Sequence, residues 1–170
     1  AFGHLFSRQL ALIEYLEFVP GQQPHLRDEM LNRLEKAIHA NDFRTPQGTP
    51  LLDLAMSLRE RPVSLLGPTE LEPVLVRFKN QLNENAGRFA RIGVVPEMNH
   101  NELVAWGGVS DDADPERANQ ATLFVTWEGM HKRVLRRIDW MIEHTPTDYA
   151  WRIQGEGSTL LEALLHHCIV

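Results

Sequence analysis

Cysteine occurs once in 170 residues, at Cys168. This excludes an internal disulfide and any Cys-x-x-Cys redox or metal pair, and it suits a reducing, cytoplasmic setting. Basic residues are also scarce, with 17 Lys and Arg against 23 Asp and Glu and a formal net charge of −6. A nucleic-acid partner is therefore not expected, because phosphate backbones recruit basic faces. The densest basic stretch, His131 to Arg137, runs on into Asp139 and Glu143 and reads as a mixed, solvated helix face. No run of about 18 apolar residues exists to span a bilayer, and the N-terminus lacks a signal-peptide pattern, so no membrane partner is expected. Walker A, GxSxG and GxGxxG motifs are missing as well. Neither end reads as a natural terminus. The chain opens Ala1-Phe2-Gly3-His4 without methionine and stops at LLHHCIV without a helix cap, which points to a piece of a longer polypeptide.

What is present is 43% hydrophobic residues, enough for one core, and the length favours one globular domain spanning 1–170. Three helices are expected first. Apolar residues recur at helical spacing from Phe2 to Phe18, ending at Pro20-Gly21, and again in 25–40 through Leu26, Met30, Leu34 and Ile38. After a loop at TPQGTP, 45–50, LLDLAMSLRE forms the third. The rhythm then changes. Short apolar runs at 63–67, 89–96, 121–127 and 149–154 read as strands, each followed by an amphipathic segment. Alternating strands and helices predict an α/β three-layer sandwich, doubly wound and flavodoxin-like, with a mostly parallel sheet of four or five strands. Ligands of such sheets bind beyond the carboxyl ends of the strands. The expected working edge is therefore the loops at 67–70, 96–101, 127–131 and 154–158.

Several residues could carry chemistry. Glu84 falls in the last turn of its helix, before Asn85-Ala86-Gly87, where the negative end of the helix dipole disfavours a carboxylate. A solvated surface glutamate is the plain reading. Glu97 and His100 flank the strand-to-helix turn PEMNHN, with Asn99 a natural N-cap. That trio admits a capping arrangement, an acid/base pair, or metal ligation, for which the ligand count falls short because no second Glu-x-x-His or HExxH pair exists. His131 reads as a cap or surface residue, and His166-His167 as a packing and rim pair. The Gly67-Pro68-Thr69 and Gly155-Glu156-Gly157-Ser158 loops offer amides and hydroxyls that could hold an anion, though such turns need glycine and caps in any case.

The stretch Phe78 to Trp106 resembles the bifunctional phosphoglucose/phosphomannose isomerases, which are built from two sugar isomerase (SIS) domains. That family carries K-x-Q-L-N-E-N-(S/A), a strand, and then P-E-L-N-H-N-E-(I/L). The chain reads Lys79-Asn80-Gln81-Leu82-Asn83-Glu84-Asn85-Ala86 and Pro96-Glu97-Met98-Asn99-His100-Asn101-Glu102-Leu103, departing only at Met98. Looser similarity covers the opening helix, where the family's proline is replaced at Arg8 or Gln9, and the closing helix, which in the family precedes a Gly-Asp and a final segment. The resemblance implies the second SIS domain of a longer chain. It further implies that Glu84 moves a proton between C2 and C1 of a sugar phosphate and that His100 passes a proton during ring opening. Thr69, Asn85, Glu97 and Asn99 become candidate substrate contacts. By the same resemblance the partners are a sugar phosphate and a second subunit, in a homodimer whose active site takes its histidine from the neighbour. The chemistry needs no metal or redox cofactor, since aldose–ketose conversion through a cis-enediolate asks for a carboxylate on the carbon acid and an imidazole on the oxygens. The family's phosphate-gripping loops, an arginine of the first SIS domain, and a lysine and threonine near the C-terminal tail have no counterpart here. The chain alone is therefore expected to turn over little, and a non-catalytic sugar-phosphate-binding SIS module is the rival expectation.

Overall fold

A computed structural model describes residues 2–42, 44, 50–106 and 114–169. It separates into two compact units, residues 1–35 and 36–170. The first holds helix α1 (Phe2–Tyr15) and most of α2 (Pro24–Ala40). Helix α1 stops three residues before the expected Phe18. Glu17 adopts a left-handed conformation (φ 58°) and the Phe18 amide returns to the Ile13 carbonyl at 3.0 Å, a Schellman-type stop made without glycine. Arg27 at the start of α2 donates to Glu14 on α1 at 2.9 Å.

The second unit contains the sheet. Its elements are α3 (Pro50–Leu58), β1 (Val63–Pro68), α4 (Glu72–Ala86), β2 (Ala90–Val95), α5 (Met98–Asn101), β3 (Ala121–Trp127), α6 (Lys132–Glu143), β4 (Ala150–Gly155) and α7 (Leu160–Ile169), with 3₁₀ turns at Thr69–Leu71 and Glu102–Val104. Most of the loop expected at 45–50 lies outside the described residues. All four strands lie within a residue or two of their expected spans. They pair in parallel in the order β2-β1-β3-β4, a doubly wound arrangement with its reversal between β1 and β3.

Period-two alternation sends each strand's residues to two cores. Val63, Leu65, Ala121, Leu123 and Val125 face α3, α4 and α7. Leu66, Val95 and Phe124 face α5 and α6 through Met98, Ile138 and Met141. Helices on both faces give the three layers, and β1 and β3 are buried almost throughout because both faces are covered. The strand at 90–95 is the exception. As an edge strand it is half-buried, and only Gly93 and Val95 are sealed.

Candidate active site

The parallel sheet fixes which chemical groups can share an edge. Helix α4 leaves the carboxyl end of β1 and runs back, so its last turn, with Glu84 and Asn85, lies at the amino edge where β2 begins. The helix is closed by Gly87 in the left-handed region (φ 60°), whose amide meets the Leu82 carbonyl, as does that of Arg88 at 3.0 Å. Both Glu84 and Asn85 are exposed, and the Asn85 amide donates to Gln81 Oε1 at 2.6 Å.

His100 lies at the other end of β2, on α5. Six residues of strand intervene, roughly 17 Å from first to last at the usual rise. One copy of this domain therefore does not bring Glu84 and His100 together. The carboxyl edge holds Thr69, Glu97, Asn99 and His100, without Glu84.

The turn bearing His100 is built against β2. Arg91 and Gly93 point to the same side of the strand, and Met98 and Glu102 to the same side of the turn. A β-carbon at Gly93 would lie 2.8 Å from Met98 Sδ and 2.7 Å from Leu66 Cδ2, so glycine is what lets Met98 settle on the strand. Glu102 forms an ion pair with Arg91, whose Nε donates to Ser64 Oγ at 2.8 Å; Ser64 Oγ in turn donates to Gln120 Oε1 at 2.7 Å. Burial pulls the Arg91 pKa below the ordinary arginine value, and the carboxylate and hydroxyl are the acceptors that make the partial burial tolerable. At about 100° per residue, His100 stands some 200° from Met98, facing away from the sheet. It is exposed.

Asn99 does not form the expected N-cap. That position falls on Glu97, which is already helical (φ −57°, ψ −46°) and makes no side-chain cap. Capping needs an extended residue ahead of the helix, and here the chain has begun to coil before Asn99 is reached. Asn99 instead donates to Met141 Sδ at 3.1 Å, while its Oδ1 is buried without a partner. Glu97 is exposed.

The expected anion loops are committed elsewhere. The amide and hydroxyl of Ser158 both donate to Glu162, at 3.0 and 3.2 Å, and the Glu162 amide donates to Thr159 Oγ1 at 3.2 Å, a capping box that starts α7. Thr69 Oγ1 donates to the Val95 carbonyl at 3.3 Å and so ties the ends of β1 and β2. At the reversal between β1 and β3, the Trp127 indole donates to Glu70 at 3.2 Å across the crevice. Glu70, Glu97, Glu128 and Glu156 all lie along this edge, a poor setting for a phosphate dianion.

His131 and His167 behave as expected. His131 caps α6, its Nδ1 accepting from the Arg133 amide at 3.2 Å. His167 packs on Gly155 and bonds the Thr126 carbonyl at 2.9 Å. Among the described residues, no three His, Cys, Asp or Glu side chains cluster as metal ligands, and no helix is long and apolar enough to cross a membrane. The Arg91–Glu102 pair, the Trp127–Glu70 bridge and the role of Gly93 escaped sequence reasoning. Only the alternation of Arg91 and Gly93 on an otherwise apolar strand could have signalled them.

Comparison with known proteins adds three findings. Residues 49–170 match the family described as the bacterial phospho-glucose isomerase C-terminal SIS domain. A bifunctional phosphoglucose/phosphomannose isomerase from Aquifex aeolicus (strain VF5) is 31% identical over 94 residues. That match covers 53% of this chain and 27% of the relative, so the chain spans about a quarter of the relative's length. A crystal structure of a protein described as sugar binding, from Salmonella typhimurium LT2, superposes with a TM-score of 0.57 at 15% identity, over 83% of this chain and 42% of that one. At that identity the likeness concerns the fold.

Proposed function

The chain belongs to the family of bacterial phospho-glucose isomerase C-terminal SIS domains, and from that premise we propose that it is the second SIS half of an aldose–ketose isomerase converting glucose or mannose 6-phosphate to fructose 6-phosphate. The observation that carries the proposal is the placement of the two proton-handling residues. Glu84 and His100 are both exposed, occupy opposite edges of one sheet, and face away from their own core. A single copy has no use for them there. A site between two copies, taking Glu84 from one and His100 from the other, uses both.

In that site Glu84 removes the proton from C2 of the open-chain aldose phosphate, forming the cis-enediolate, and returns it to C1 while the O2 proton passes to O1, giving the ketose. His100 acts first, moving a proton between the ring oxygen and the C1 hydroxyl as the sugar ring opens. Both residues end each cycle in their starting protonation state, so no redox or metal cofactor enters the balance. The carboxyl edge of this domain, with its four glutamates, its Ser158 donors held by Glu162 and its Thr69 hydroxyl held by Val95, supports a phosphate grip supplied by another SIS domain of a longer polypeptide. Asn85 and Glu97, both exposed and close in sequence to Glu84 and His100, are positioned to contact the sugar in the completed site, whereas Asn99 would first have to leave Met141. The single thiol suits a cytoplasmic setting.

The test compares Glu84→Gln and His100→Ala in the polypeptide that carries this domain, with glucose and mannose 6-phosphate as substrates. Loss of a proton-transfer group lowers kcat by about 10²- to 10⁴-fold while substrate binding persists. Normal kcat in Glu84→Gln rejects the base assignment and leaves the binding-module alternative. The 170-residue chain alone is expected to show little turnover.

A further inference from the structure

We propose that Arg91 and Glu102 are positioning residues for His100, a two-point clamp with Met98 on Gly93 that fixes the direction in which the imidazole leaves the domain. The proposal rests on the catalytic reading of His100. Helix α5 has four residues and no side-chain cap, and a single helical turn has no stability of its own. Its orientation must come from what it touches.

Two contacts with β2 contribute to it, and their spacings match. Arg91 and Gly93 lie about 7 Å apart on one side of β2, and Met98 and Glu102 about 6 Å apart on one side of the turn. Asn99 on Met141, with Leu103 and Trp106 on the second core, holds the turn on its α6 side, and the Arg91–Glu102 pair holds it on β2, so that His100, midway between the two β2 anchors and opposite them, is aimed outward. The clamp is itself held. Arg91 is fixed by Ser64, which is only 2% exposed, Ser64 by Gln120, and Gln120 by the Arg117 carbonyl at 3.1 Å, so the hydrogen bonds run from the His100 turn across β1 to the start of β3. A pair placed only for solubility would not require a guanidinium engaged on two sides by partly buried acceptors.

The experiment has two arms. In the longer polypeptide, Glu102→Ala and Arg91→Lys are expected to lower kcat roughly 10- to 100-fold with little change in KM, as small misplacements of catalytic groups do, and Glu102→Asp to recover part of the loss. In a His100→Ala background Glu102→Ala should have no further effect on kcat. In the 170-residue chain, amide hydrogen exchange of residues 98–104 should quicken in Glu102→Ala while β1 and β3 stay protected. Multiplicative loss of kcat in the double variant overturns the proposal, and so does unchanged exchange in Glu102→Ala, leaving the catalytic reading intact. A His100→Ala variant with undiminished turnover overturns that reading, and the proposal with it.

Discussion

Acidification should destabilise this domain through His167, and the size of the effect follows from its surroundings. The ring bonds the Thr126 carbonyl at 2.9 Å and lies against Gly155 so tightly that a β-carbon there would collide with it. Burial lowers its pKa from 6.5 to about 4, against the opposing pull of the Thr126 carbonyl and with a small further push from His166. In the unfolded chain the imidazole takes up a proton near pH 6.5. The folded chain does not until about pH 4. Stability from this group is therefore complete above pH 6.5, is lost as the pH falls from 6.5 to 4, and changes no further below. At about 1.36 kcal/mol per pH unit the loss is about 3 kcal/mol as an upper bound, a large part of the 5–15 kcal/mol that holds a domain together. Carboxylates also titrate in this range, so the comparison is with His167→Gln, whose amide can still donate to Thr126 but cannot charge. His166, whose pKa is likewise lowered by burial against Glu156 and Glu162, is common to both proteins. Urea unfolding followed by circular dichroism between pH 7.5 and 4 should show the parent losing about 2–3 kcal/mol more than the variant. Parallel curves would refute the reasoning.

Two substitutions test the backbone around the candidate site. Gly93→Val places carbon where Leu66 and Met98 now sit; because both are flexible side-chain ends the cost should be about 1–3 kcal/mol, a fall of about 5 °C in Tm, and smaller in a Met98→Ala background. Equal losses in the two backgrounds would count against the packing described here. Gly87→Ala meets open space, so its cost, about 1 kcal/mol or 2–4 °C in Tm, is purely that of the left-handed conformation, and Gly87→Asn should cost less; equal effects of Ala and Asn would contradict this.

The fold was legible because its determinants are local. The short apolar runs in Val63–Pro68 and Ala121–Trp127 and the three-to-four spacing in 72–86 and 132–143 are each legible in neighbouring residues. Right-handed crossovers then leave few ways to assemble them. The places where sequence reading slipped are also local in origin. Glu17 took the left-handed stop that glycine usually makes, and the coiling of Glu97 displaced the cap expected at Asn99.

The sequence by itself determined the strands, the helices, the layer architecture and the motif that carries Glu84 and His100, because those are written in short-range pattern and residue type. Only the tertiary structure decided that the two residues occupy opposite edges of the sheet, that Thr69 is spent on an internal bond, and that Arg91 reaches Glu102. Those outcomes depend on the direction in which α4 runs and on partners 11 to 26 residues away, brought within reach by the register of parallel strands. Contacts between residues distant in the chain follow from the packed geometry, and no local periodicity encodes them.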